Sequence, residues 1–144
     1  MASIRIGFFK DFKGADTLLF DVDHEGLNAL IAWLKTVASS GRRIALDHFA
    51  GAVVQSGLHI DLACTPKGTG LVGTTGAGFL WQRSEEGWVE VIDKLAAMES
   101  GACHQYLEGP SDGVQVMASI GEYGDSWWRR HGRSRAEHPD NEAP

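Results

Sequence analysis

Residues 4–14, IRIGFFKDFKG, decide the fold because their pattern recurs in residues 58–68, LHIDLACTPKG. Each segment has apolar side chains at alternate positions and ends in Lys-Gly, which is typical of a strand with one buried face. A second strand pattern and an apolar helical ladder follow each segment. The ladders consist of Leu27, Leu30, Ile31 and Leu34 in the first half and of Trp88, Val91, Ile92 and Leu95 in the second. A shared pattern of this length predicts two strand-strand-helix-strand units, at about residues 3–49 and 57–109.

The ends of both helices are marked in the sequence. Asp23 and Ser84 directly precede the helical patterns, and such side chains accept hydrogen bonds from N–H groups of the first turn. Gly41 and Gly101 are suited to end the two helices. The predicted helices span about 24–40 and 85–99, and the predicted strands lie near 3–9, 17–22, 42–48, 57–64, 78–82, 103–108 and 114–121.

These elements predict an α+β fold in one domain over residues 1–128, followed by a polar tail at 129–144. The chain has 144 residues, of which 43% are hydrophobic, and this is sufficient for one core. Helices with one apolar stripe need a sheet to cover. We therefore expect a two-layer sandwich, with both helices on one face of a largely antiparallel sheet of about seven strands.

Composition favours some classes of partner over others. Residues 1–128 contain 9 basic and 16 acidic side chains, a formal charge of −7, which repels nucleic acid and favours a basic protein partner. The same charge also supports solubility. No apolar run approaches the roughly 18 residues of a membrane span, and no signal-peptide pattern opens the chain. With only two cysteines there is no disulfide framework, so we expect a cytoplasmic protein.

The glycine-rich segment at residues 68–78 contains a literal G-x-G-x-x-G. A dinucleotide site needs a helix to begin at this turn, whereas here another strand is predicted to follow. We interpret the segment as a connection between two strands. The alternative is that its backbone N–H groups hold a ligand.

A second candidate site is a row of three polar side chains in a predicted strand. His104, Tyr106 and Glu108 alternate, so they are expected to project from one face of the sheet. An imidazole, a phenol and a carboxylate at this spacing can transfer protons, or they can simply form a solvated row. The sequence contains no pattern that identifies catalytic residues, a cofactor site or a complete set of metal ligands.

The C-terminal region combines aromatic and cationic side chains. Tyr123, Trp127 and Trp128 precede Arg129 and Arg130. One interpretation is that the three aromatic residues fold back over the core. The other is that they bind a protein partner, including a second copy of this chain, because aromatic and arginine side chains are enriched at interface hot spots.

The closing part of the chain carries a family resemblance. Residues 104–108, HQYLE, and 114–123, VQVMASIGEY, are similar to the closing strand pair of uncharacterised bacterial proteins, and the small acidic α+β plan resembles bacterial immunity proteins that neutralise toxins. The resemblance implies a non-enzymatic binding protein of the bacterial cytoplasm whose negative surface meets a basic toxin. The alternative function is a small enzyme or ligand sensor that uses the 68–78 loop and the face of His104, Tyr106 and Glu108.

Overall fold

A computed structural model describes residues 3–12, 14–68, 70–73, 78–100, 104–111 and 114–131. Over these ranges the chain is α+β, as predicted. The helices are α1 (His24–Ser40), α2 (Glu85–Ala97) and α3 (Asp125–His131). The strands are β1 (Ile4–Phe12), β2 (Ala15–Val22), β3 (Ile44–Ala45), β4 (Ala52–Val54), β5 (His59–Cys64), β6 (Gly70–Gly73), β7 (Gly78–Arg83), β8 (His104–Ser111) and β9 (Val114–Ile120).

The described strands form two sheets, so the prediction of one sheet of about seven strands is wrong. The first sheet has five strands in the order β4-β1-β2-β9-β8, and the second has four in the order β3-β5-β7-β6. Both sheets mix parallel and antiparallel pairs. The short strands β4 and β6 and the helix α3 were not predicted.

The two halves share an order of elements but differ in how their strands pair. In the first half β1 and β2 form an antiparallel hairpin, whereas β5 and β7 in the second half are parallel. The reason is β6, which lies in the segment predicted to be a connection and pairs antiparallel with β7. Because β6 reverses the chain once more, β7 has to run in the direction of β5. The two units are therefore not structurally equivalent, contrary to the prediction, because the second unit contains this additional strand.

The predicted helix boundaries agree with the structure. The Gly26 N–H donates to Asp23 Oδ1 at 2.6 Å, and the Gly87 N–H donates to Ser84 Oγ at 3.1 Å. Gly41 ends α1 in the left-handed conformation, with φ of 68°. A short 3-10 turn at Met98–Ser100 follows α2, and Gly101 lies outside the described residues.

Both helical ladders contribute to one main core. Their central residues are buried, whereas Ile31 and Ile92 are partly buried and pack at the margin of the core. Alternate residues of the first sheet face the same core, among them Ile4, Ile6, Leu18, Phe20 and Val116. Side chains of the second sheet complete it, including Ile60, Leu62, Phe79 and Trp81. The main core thus lies between the two helices and the inner faces of both sheets.

The opposite, outer face of the first sheet has an apolar cluster of its own. Phe9, Phe12, Leu19 and Met117 are buried there beneath aromatic residues from the C-terminal part of the chain. Since residues that alternate along a strand point to opposite faces, this outer cluster is separated from the main core by the sheet itself.

Candidate interaction surfaces

The helix α3 lies on the outer cluster and presents its aromatic side chains to it. The Trp127 ring centroid lies 5.0 Å from that of Phe9, and the Trp128 centroid lies 5.7 Å from the same ring. The Tyr123 ring lies 5.6 Å from Phe12. All three aromatic residues nevertheless remain partly exposed. The structure therefore places Tyr123, Trp127 and Trp128 over the sheet and leaves part of each surface accessible.

Gly7 makes room for this packing. A Cβ atom at position 7 would lie 2.8 Å from Phe9 Cζ and 3.1 Å from Trp128 Cζ3, which is closer than ordinary van der Waals contact. The absence of a side chain at this point of β1 is what allows the indole to approach the sheet.

Polar contacts at Asp21 and at Arg5 hold α3 in place. Trp128 Nε1 donates a hydrogen bond to Asp21 Oδ2 at 3.2 Å, and Ser119 Oγ donates to Asp21 Oδ1 at 2.8 Å. At the first residue of α3, the Asp125 carboxylate forms an ion pair with Arg5. We call these contacts among Arg5, Asp21, Ser119, Asp125 and Trp128 the α3 clasp.

The two carboxylates of the clasp have opposite pKa shifts. Asp21 is only 6% exposed, and burial raises its pKa above the ordinary value, although the hydrogen bonds from Ser119 and Trp128 and the charge of Arg5 act in the other direction. The pKa of the exposed Asp125 is lowered, because Arg5 donates a hydrogen bond to the charged form and attracts it. Burial also raises the pKa of Tyr123 to about 12, helped by nearby Glu122 and Asp21. The phenol is thus protonated near neutral pH.

The row of His104, Tyr106 and Glu108 does not share one face, so this geometric prediction is wrong. His104 and Tyr106 pair with Ser119 and Met117 of the outer face, and their ring centroids are 5.8 Å apart. A shift in register between Tyr106 and Glu108 then pairs Glu108 with Val116, whose side chain lies in the main core. A β-bulge of this kind inserts one residue and reverses the alternation of the strand.

Glu108 is instead a link between the two sheets. Its Oε1 accepts a hydrogen bond from Trp81 Nε1 at 3.1 Å and lies 3.0 Å from a guanidinium nitrogen of Arg83. His104 has a different neighbour, since its Nδ1 lies 3.4 Å from Glu122 Oε1. The three residues therefore do not converge on a common point, and their arrangement gives no support to joint proton transfer.

The glycine-rich segment is partly a strand. Gly70–Gly73 pairs with β7, while residues 69 and 74–77 lie outside the described residues.

Across the part of the chain that the structure describes, no three His, Cys, Asp or Glu side chains are grouped so that they could hold a metal ion. None of the described helices combines the length and the apolar character needed to cross a membrane.

A groove separates α3 from the edge strand β4. It has a volume of about 370 Å³, and its walls include the apolar Val53 and Trp128 and the charged Arg5, Asp125 and Arg129. Val53 is 64% exposed at this edge. The groove was not predicted, since its two walls, β4 and α3, were absent from the predicted elements.

The second surface is the solvent face of α2, which is acidic. Glu86, Glu90 and Asp93 are exposed at spacings of four and three residues and therefore form one stripe along the helix. Val89 lies within this stripe and is 50% exposed. Glu85 and Glu99 extend the negative charge at either end. The stripe was not predicted, although its helical spacing is visible in the sequence.

Comparisons of the chain with protein-family models, with curated proteins and with solved structures find no match.

Proposed function

We propose that this chain is a non-enzymatic binding protein that engages a basic protein partner through the acidic stripe of α2. The observation that carries the proposal is the concentration of charge on one of two helices that cover the same core. α2 contains four acidic residues and one lysine, whereas α1 contains one glutamate and one lysine. A charge that served solubility alone would need no such concentration.

The acidic stripe contains one pair of like charges that acts against the stability of the helix. Glu86 and Glu90 are one turn apart, and like charges at this spacing destabilise a helix by about 0.2–0.5 kcal/mol per pair. A basic partner would remove this repulsion on binding. The charge would also steer the encounter, so the association rate should fall as salt concentration rises.

Val89 gives the stripe an apolar contact centre. Its half-exposed side chain lies between Glu86, Glu90 and Asp93, which provide a polar surround. Protein interfaces commonly combine an apolar centre that loses its water with a charged rim that sets orientation and encounter rate. An apolar centre within an acidic surround therefore fits a complementary basic protein surface.

A basic toxin in the bacterial cytoplasm is the most concrete form of this partner, on the resemblance to immunity proteins described above. Tyr123, Trp127 and Trp128 lie on the outer face of the first sheet, whereas α2 packs on the inner side. We therefore assign the aromatic residues to a separate contact. The alternative of a small enzyme or ligand sensor gains nothing from the geometry, because the β-bulge separates Glu108 from His104 and Tyr106.

The test is affinity capture from a bacterial lysate with the purified chain as bait. The triple variant Glu86→Gln, Glu90→Gln, Asp93→Asn neutralises the stripe. A control with the same change in net charge is Asp11→Asn, Asp47→Asn, Glu122→Gln, at exposed residues outside α2. We expect the wild type and the control to retain the same cationic protein and the stripe variant to lose it. Equal retention by all three baits would contradict the proposal.

A further inference from the structure

We propose that α3 is an exchangeable segment, which in a second copy of this chain occupies the same outer face of the first sheet and so forms a domain-swapped dimer. This inference is independent of the basic partner, because it uses the outer face and the α3 clasp. The occupant is chosen for a structural reason: within the described part of the chain α3 packs on this face, and a second copy carries an identical segment.

The first support is that α3 can leave without disrupting the main core. The side chains beneath it, Phe9, Phe12, Leu19 and Met117, form a cluster separate from the one that contains α1 and α2. Opening of a peripheral unit with its own contacts requires less free energy than global unfolding. The sheet and the two long helices therefore remain as a template while α3 is released.

The second support is that α3 depends on the sheet to remain folded. It has seven residues, none of them fully buried, and isolated helices much shorter than about 12 residues are marginal in water. The released state would expose the aromatic side chains of α3 as well as the outer cluster. Two released copies can cover both surfaces by exchanging helices, without creating any new type of contact.

The third support is the connection between β9 and α3. Gly121 has φ of 61°, a left-handed conformation, and Gly124 directly precedes the helix. The Gly121 N–H donates to the Val22 carbonyl at 3.0 Å, which fixes the start of this hinge on the sheet. Residues 121–124 thus form a short hinge with a glycine at each end, where a change of backbone direction is least restricted.

The balance between monomer and swapped dimer should depend on protein concentration, because the two forms make the same contacts. When the closed and the exchanged forms make the same contacts, the tether favours the closed monomer until the protein approaches the effective concentration of α3, on the order of millimolar for a short connection. Refolding at high concentration therefore favours exchange, whereas dilution favours the monomer.

The decisive experiment exchanges the charges of the clasp between two chains. Arg5→Asp sets a second carboxylate against that of Asp125, and Asp125→Arg sets a second guanidinium group against that of Arg5. In a swapped heterodimer of these two variants, both clasps regain an opposite-charge pair. The two variants are unfolded together and refolded at high concentration. Native mass spectrometry then distinguishes the heterodimer from the two homodimers by mass.

We expect the heterodimer to exceed each homodimer several-fold in the refolded mixture. The double variant Arg5→Asp, Asp125→Arg restores the pair within one chain. It should therefore form no more dimer on refolding than the wild type does. Circular dichroism of each variant establishes that the sheet and the two long helices have formed. A mixture that stays monomeric, or one in which heterodimers reach only their random share, would overturn the proposal. Adding Trp127→Ala and Trp128→Ala to both chains should abolish the heterodimer, and its persistence would also overturn it.

Discussion

The indole of Trp128 donates a hydrogen bond from Nε1 to the buried carboxylate of Asp21 at 3.2 Å. Asp21 belongs to the second strand, and Trp128 lies 107 residues later in the chain. A buried acceptor with directed donors specifies one orientation, since a shifted helix would leave the carboxylate without that partner. The contact therefore sets how α3 lies on the sheet, while the aromatic side chains pack against the outer cluster.

Replacing the buried carboxylate should change the pH dependence of stability. The pKa of Asp21 is raised in the folded state, so the folded chain binds its proton more tightly than the unfolded chain does. The contribution of Asp21 to the free energy of unfolding is then greatest below the unfolded value of 3.8 and declines as pH rises through the folded pKa. The free energy of unfolding of Asp21→Asn should not show this decline. Urea unfolding of both proteins at a series of pH values checks it, and parallel curves would contradict it.

The exposed partner of Arg5 should behave in the opposite way. The pKa of Asp125 is lowered, so its contribution to stability is present above the ordinary value of 3.8 and is lost as pH falls through the lower folded value. Asp125→Asn should remove this loss at acid pH. High salt should weaken the effect in the wild type, because the pair is exposed. An unchanged acid limb in the same urea series would show that the ion pair does not form in solution.

A side chain at Gly7 should displace α3. The added Cβ of Gly7→Ala would press on Phe9 and Trp128, so we expect a more exposed indole and a red shift of tryptophan fluorescence. Gly109→Ala is the matched control in β8, because a Cβ there meets nothing within 4 Å. If both variants leave the emission unchanged, the close approach of Trp128 to β1 is wrong.

Truncation of the α1 ladder should destabilise the whole domain. Leu30 is 1% exposed, and Leu30→Ala should reduce the free energy of unfolding by about 2–5 kcal/mol through lost burial and a cavity. Ile92 is only partly buried, so Ile92→Ala should have a smaller effect. Denaturant unfolding measures both. A larger loss for Ile92→Ala would contradict the placement of the ladders in the main core.

The local features of the fold were predictable where each depends on a few adjacent residues. Asp23 and Ser84 cap the helices as expected, and the ladder containing Leu30 is buried. Strand pairing was harder to predict, because it depends on the four residues of β6. They reverse the chain and so make β5 parallel to β7, yet glycine-rich sequence is typical of a loop.

The candidate sites were harder to predict than the elements that carry them. The bulge that turns Glu108 toward the core depends on pairing between β8 and β9. It could not be inferred from the alternating positions of His104 and Tyr106. The aromatic residues of α3 were recognised, but their partner on the sheet, Asp21, is remote in the sequence. The acidic stripe was not predicted either, although the spacing of Glu86, Glu90 and Asp93 is visible in the sequence.

The most direct test of the proposed function measures binding of the captured partner to the purified chain as a function of salt. For the wild type, we predict an association rate that falls steeply with rising ionic strength, as expected for electrostatic steering. The variant Glu86→Gln, Glu90→Gln, Asp93→Asn should associate more slowly at low salt, on the order of tenfold, and should depend little on salt. An unchanged rate and salt dependence in this variant would contradict binding through the acidic face of α2.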